Sequence, residues 1–300
     1  MRLPNVFTAI ADVAMGYLFV QHGVADAGKL ACLVGASAAL YTAGMVLNDV
    51  FDLAIDARER PFRPLPAGQV SVRAGTFVGW VLLVLGVGLG WLAGWLPGVA
   101  AALPWRSGVL ASVLAACVVA YDGFLKKTPL GPLGMGACRF LNVLLGMSVA
   151  DNAAGGVLLG YGAGELLAAA GIGTYIVGVT WFARSEAGES KGAVLVAALG
   201  VMIAGAALLG ASAQYVQIHV EPQLFWLLLA LLMFTVLRRG GTAAMDPTPQ
   251  KVQAAVKHSI LSLIWFDAAT AIVVAGPAYG IAIALLLIPA LLLGRWVYST

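Results

Sequence analysis

The sequence predicts an all-α polytopic membrane protein, and three observations carry that prediction. Hydrophobic residues make up 61% of the 300 and charged residues only 10%, against roughly 25% charged in a soluble domain. Long apolar runs recur from one end of the chain to the other. In lipid, where no water satisfies the backbone, such runs must close their hydrogen bonds as helices. The basic residues, finally, sort to one side of those runs.

Ten apolar segments follow in order, near Val6–Gln21, Leu30–Asn48, Ala74–Leu96, Val109–Tyr121, Leu133–Val149, Leu166–Phe182, Ala193–Ala211, Leu224–Leu237, Val252–Ala275 and Ile281–Leu293. Some are short enough to need flanking residues to span. The first follows a single basic residue, Arg2, without a cleavable signal pattern, and is expected to stay as a helix. Gly276-Pro277 before the last segment is either a turn or a kink in one broken element, so nine to ten helices are expected. The longest polar stretches, Asn48–Arg73 and Arg238–Gln250, leave no room for a soluble domain, and residues 1–300 read as one transmembrane domain. The second of them, with MDPTPQ, reads as a plain connection.

With the amino terminus inside, fourteen basic residues fall on one side: Arg2, Arg58, Arg60, Arg63, Arg73, Lys126, Lys127, Arg184, Lys191, Arg238, Arg239, Lys251, Lys257 and Arg295. Only Lys29 and Arg106 fall on the other, which is a strong positive-inside asymmetry. A net charge of +3, dispersed along the chain, gives no footprint for nucleic acid. Cys32, Cys117 and Cys138 lack CxxC spacing and read as packing residues, and His22, His219 and His258 share no ligand spacing.

One stretch departs from the apolar pattern: NDVFDLAIDARERPFRPLPAG, Asn48 to Gly68. Asp49, Asp52 and Asp56 are three of only 14 acidic residues. Steps of three and four would place them on one helix face with Asn48 at its edge. Three such carboxylates repel unless a cation lies between them, and oxygen ligands without His or Cys favour Mg²⁺ completed by phosphate. Arg58, Arg60 and Arg63 follow directly, and a guanidinium suits bidentate capture of phosphate oxygens. The stretch reads as a Mg²⁺-diphosphate site at a membrane surface, the bland alternative being a helix cap with a solvated loop.

NDxxDxxxD followed by RPLPxG resembles the first signature of the UbiA-type intramembrane prenyltransferases. LKKTPLGPLGMGACRFLN, from Leu125 to Asn142, looks like its EboC-like branch. The resemblance implies a helical bundle with a central cavity open to the cytoplasmic side, in a bacterial inner membrane. It implies Mg²⁺ on Asp49, Asp52 and Asp56, a prenyl diphosphate donor, and a small aromatic or lipidic acceptor. It further implies that Lys126 or Lys127, after Tyr121 and Asp122, helps bind diphosphate; ordinary topology determination is the other reading of the two lysines. The family's second signature, DxxxD, falls on SEAGE, where Ser185 replaces the first aspartate and Glu189 the last. Glu189, with Glu186, then either holds a second Mg²⁺ or forms surface pairs with Arg184 and Lys191.

Arg139 and Asn142, at i and i+3, share a face inside an apolar segment. They either contact substrate, or Arg139 is neutralised by Asp122 or Asp267, the latter read as structural. Trp181, Trp226 and Trp265 either flank a prenyl chain or sit at the lipid interface. The expected activity is transfer of an isoprenyl group, with catalytic roles for Asp52, Asp56, Arg63, Lys126 and Lys127, and substrate contacts from Asn48, Tyr121, Asp122, Arg139 and Asn142. A terpene cyclase using the same site, and a non-catalytic lipid-phosphate binder or transporter, are the alternatives.

Overall fold

The computed structural model describes residues 3–98, 101–150, 156–184 and 192–296. Among the described residues the chain forms α1 (Val6–Gln21), α2 (Ala27–Phe51), α3 (Leu53–Glu59), α4 (Val72–Trp95), α5 (Trp105–Gly123) and α6 (Gly131–Gly146). It continues through α7 (Ala163–Ala183), α8 (Gly192–Ser212), α9 (Pro222–Met245), α10 (Pro249–Ala275), α11 (Pro277–Ala284) and α12 (Leu287–Trp296). Apart from an isolated bridge between Leu158 and Tyr161, no strand pairing occurs among them. The all-helical expectation holds.

Among the described residues, nine spans are long and apolar enough to cross a membrane: α2, α4, α5, α6 with its short extension, α7, α8, α9, α10, and α11 with α12. α1 is shorter, at 16 residues, and packs against α2, α6 and α10. All ten apolar segments are therefore present. Gly276 ends α10 at φ 104°, a backbone that suits glycine, and donates its N–H to the carbonyls of Ala271 and Ile272. Pro277 then opens α11, and Gly280 packs on the Ala268 carbonyl and Ile272. The chain turns back here; it is not one kinked helix.

Local chemistry sets the other ends. Asp26 accepts the Lys29 N–H at 3.0 Å to start α2, and Ser71 accepts the Ala74 N–H at 3.2 Å to start α4. Thr248 caps α10, with Pro249 in its first turn. α9 runs to Met245, past the expected end at Leu237, so RRGGTAAM is helix rather than connection. Arg106 turns inward from the far end of the bundle. It is fully buried, donates to the carbonyls of Ser148 and Leu159, and stacks 4.4 Å over the Tyr161 ring.

One crossing sets the position of the functional groups. α1 meets α6 where a side-chain carbon on Gly16 would lie 2.5 Å from the Val143 carbonyl, and one on Gly146 would overlap the Val13 carbonyl. Without a hydrophobic drive between helices in lipid, small residues are what permit such approach. One turn back on each helix, Asp12 meets Arg139.

Gly16→Leu is therefore expected to destabilise the detergent-solubilised protein by about 1–3 kcal/mol, because backbone rather than a mobile side chain stands in the way. Thermal unfolding checks it, and an unchanged midpoint would contradict this crossing.

Candidate functional site

One face of α2 carries the site. Ser37, Tyr41, Gly44 and Asn48 recur at steps of four, three and four, which keeps them in line over about 16 Å at 1.5 Å per residue, and Asp52 follows just past the helix end. The first four line a cavity of about 240 Å³. α5 closes it with Leu114, Val118, Tyr121 and Asp122, and α6 with Met135, Cys138, Arg139 and Asn142. Gly44 makes room: a carbon added there would lie 2.8 Å from Val118 and 3.5 Å from Asp122 Oδ2. The cysteines are free, but Cys138 Sγ lies 3.3 Å from Cys117 Sγ, a contact their sequence spacing does not suggest. None of Trp181, Trp226 and Trp265 lines the cavity; all three are partly exposed, which fits the lipid-interface reading.

The mouth of the cavity is the acidic stretch, arranged differently from the single helix face expected. α2 ends at Phe51, and Asp52, at φ −93° and ψ 5°, joins it to α3. Asp49 thus belongs to α2, Asp56 to α3, and Asp52 to the break between them. Two cations bridge them. Lys126 Nζ donates to Asn48 Oδ1 and Asp52 Oδ2, each at 2.7 Å. Arg63 Nη1 donates to the buried Asp56 Oδ2 at 2.6 Å and stands 3.6 Å from Asp49 Oδ1.

Both cations are delivered by tight turns. The Ala67 N–H closes on the Arg63 carbonyl at 2.8 Å, and the Gln69 N–H on that of Pro64 at 2.9 Å. Gly68 supplies the left-handed residue, at φ 72°. Lys126 sits in a single 3₁₀ turn, Leu125–Lys127, whose carbonyl at Lys126, with that of Thr128, accepts from Arg184 at the end of α7. Arg184, which the sequence marked only as a surface charge, thus braces the turn that carries Lys126. Lys127 is exposed and makes none of these contacts.

Among the described residues no three carboxylate, His or Cys side chains converge closely enough to enclose an ion; the aspartates are spread over Arg63 and Lys126. The groups nonetheless suit a hard dication. Asp52 Oδ1 is buried with no hydrogen-bond partner, and a buried carboxylate oxygen without a donor calls for positive charge. Glu186 and Glu189, the expected second carboxylate pair, lie outside the described residues.

The far end of the cavity holds a second polar cluster. Arg139 Nη1 donates to Asp12 Oδ2 and Nη2 to Thr8 Oγ1, each at 2.7 Å. Asn142 donates to the Ala9 carbonyl at 2.9 Å and accepts from Ser37 Oγ at 2.8 Å. The direct partner of Arg139 is thus Asp12, which the sequence reading did not name beside Asp122 and Asp267, and Asp267 contributes its charge at longer range. Asp267, fully buried on α10, interacts with the Asp12 carboxyl. Asp12, Thr8, Ser37 and Tyr41 escaped the sequence reading, although a lone carboxylate in the first apolar run was a visible signal. The guanidinium of Arg139 also lies 5.4 Å from the centre of the Tyr41 ring.

Residues 9–194 match the model of the UbiA prenyltransferase family. The digeranylgeranylglyceryl phosphate synthase of Saccharolobus solfataricus is 31% identical over 131 residues, 43% of this chain and 42% of the relative. That of Metallosphaera sedula is 34% identical over 96 residues, 32% of this chain and 34% of the relative. The chain thus matches less than half the length of these curated relatives. Among solved structures, a UbiA homolog from Aeropyrum pernix K1 superposes at a TM-score of 0.62 with 17% identity, covering 97% of this chain and 99% of that one. A UbiA homolog from Archaeoglobus fulgidus bound to DMAPP and Mg²⁺ gives 0.55 with 13% identity, covering 94% and 96%. At these identities the likeness concerns the fold.

The Arg139–Asp12 pair generates a test within the structure itself. Arg139→Met is expected to cost about 3–5 kcal/mol, because it leaves a buried carboxylate without its cation. Combining it with Asp12→Leu should recover much of that loss. Thermal unfolding of the two single variants and the double variant checks the coupling, and strictly additive losses would contradict the pair.

Proposed function

The chain belongs to the UbiA prenyltransferase family, and from that premise we propose that it transfers a prenyl group from a Mg²⁺-bound prenyl diphosphate to an acceptor in the α2-lined cavity. The observation that carries this reading is that the charged mouth and the cavity share a residue. Asn48 lines the cavity and also accepts from Lys126. A diphosphate held at the mouth would direct its prenyl chain along the apolar walls below.

Asp49, Asp52 and Asp56 would hold Mg²⁺, which neutralises diphosphate charge when bound. Arg63 and Lys126 then exchange carboxylate partners for phosphate oxygens. A guanidinium grips two oxygens at once, whereas the ammonium acts as a point charge. As the donor C–O bond breaks, both stabilise the charge that builds on the leaving diphosphate. Leu114, Val118 and Met135 keep water from the allylic carbon, so that an acceptor rather than water meets it. The positive-inside asymmetry supports a cytoplasmic mouth.

Pyrophosphate release from a prenyl diphosphate by the purified protein tests the reading. Asp52→Ala is expected to abolish it while leaving the protein folded, since Lys126 lies in a turn between helices and keeps its bond to Asn48. Lys126→Met should slow it by about 10²–10³, as loss of a preorganised electrostatic donor does, while Lys127→Met stays within about twofold. Equal effects at the two lysines would contradict the assignment. Glu189→Gln is expected to raise the Mg²⁺ requirement of turnover markedly. An unchanged Mg²⁺ curve would instead make Glu189 one of the solvated surface charges, whose pairs contribute only about 0–1 kcal/mol.

A further inference from the structure

We propose that Arg184 is a positioning residue: it selects Lys126 over its neighbour Lys127 as the lysine of the diphosphate site. The inference rests on the transferase reading above and deepens it. Lys126 and Lys127 share one 3₁₀ turn, Leu125–Lys127. With three residues per turn, adjacent side chains leave such a helix about 120° apart. The two lysines have the same charge and reach, so the orientation of the turn decides which ammonium meets Asn48 and Asp52. Lys126 does so, at 2.7 Å from each, and Lys127 is exposed. The turn is set off from both neighbouring helices. Phe124, at φ −145° and ψ −36°, stands between it and α5, and Thr128, at φ −101° and ψ 165°, between it and α6. Its own backbone bonds, from the Lys127 N–H to the Phe124 carbonyl and from the Thr128 N–H to the Leu125 carbonyl, fix its shape and not its orientation.

Orientation is supplied from α7. Arg184, at the end of that helix, donates from Nη2 to the carbonyls of Lys126, at 2.8 Å, and Thr128. A cationic donor holds a carbonyl more firmly than a neutral one does. One of the two carbonyls belongs to the lysine itself, so the tie acts on the residue whose ammonium enters the site. α6 leaves space for the guanidinium at Gly131. A side-chain carbon added there would lie 3.0 Å from Arg184 Nη2 and 3.2 Å from the Lys126 carbonyl. Lys126 is thereby held at both ends, its carbonyl by α7 and its ammonium by α2. Without Arg184 the turn can present either lysine, and Lys127 can take the place of Lys126.

The test is the rate of pyrophosphate release from a prenyl diphosphate by purified single, double and triple variants. With Arg184 present, Lys126→Met is expected to slow release by about 10²–10³. Adding Lys127→Met to it should change the rate by less than about twofold. In Arg184→Met the cost of Lys126→Met should fall below about tenfold, because Lys127 substitutes. Adding Lys127→Met to that pair should then slow release by at least about tenfold more. A residue that merely stabilises the fold, or acts as a distant charge, would lower all rates by one common factor. The same Lys126→Met cost with and without Arg184 therefore overturns the proposal, and so does a Lys127→Met that stays silent in the Arg184→Met, Lys126→Met protein. Either outcome leaves the transferase reading standing. Arg184→Gln, shorter and uncharged, carries the same comparison if Arg184→Met does not fold. A native protein that releases no pyrophosphate, or releases it no faster than Lys126→Met does, defeats the transferase reading and this proposal with it.

Discussion

A charged side chain inside a helical bundle survives only beside its opposite, because neither lipid nor packed protein solvates it as water does. This constraint organises the molecule at both ends of its cavity. At the mouth, Lys126 ties the end of α5 to Asn48 and Asp52, and Arg63 folds its loop back onto Asp49 and Asp56. At the far end, Arg139 ties α6 to Asp12 of α1. The contacts that neutralise charge are the same contacts that place α1, α2, α5 and α6 around one space. Stability and site geometry thus share their cause.

The two ends differ in what a ligand could take from them. Arg63 and Lys126 sit in turns between helices and keep side-chain exposures of 14% and 13%. They can change partners without opening the bundle. Arg139 and Asp12 lie on packed helices, with exposures of 8% and 0%, and α1 is held to α6 by a glycine crossing one turn away. The mouth is suited to exchange, and the far end to shaping the wall.

Much of this was legible in the sequence, and the failures have physical causes. The ten apolar runs and the gathering of Asn48, the three aspartates and Arg63 follow from composition, spacing and the NDxxDxxxD pattern. The resemblance supplied a lysine, Lys126 or Lys127, and Gly276-Pro277 fitted either a turn or a kink. The break at Asp52 did not show, because steps of three and four fit a continuous helix and no Pro or Gly marks the interruption. Choosing Lys126 over Lys127 needed the direction of a 3₁₀ turn fixed by Arg184, a contact between α7 and the loop after α5. The partner of Arg139 depends on which helix crosses α6, which spacing along one chain does not reveal. The extra length of α9 reflects packing overriding the weak helix propensity of its paired glycines.

On the proposed function, the cations now matching Asp49, Asp52 and Asp56 are handed to a diphosphate when a divalent metal takes their place. Metal and diphosphate should then bind as partners, since each makes good the charge that the other displaces. The direct measurement is calorimetric titration of the purified protein with inorganic pyrophosphate, in the presence and absence of Mg²⁺. Tightening of pyrophosphate binding by Mg²⁺ of at least about tenfold, lost in Asp52→Ala, is the predicted result. Pyrophosphate affinity that is the same with and without Mg²⁺ would contradict it.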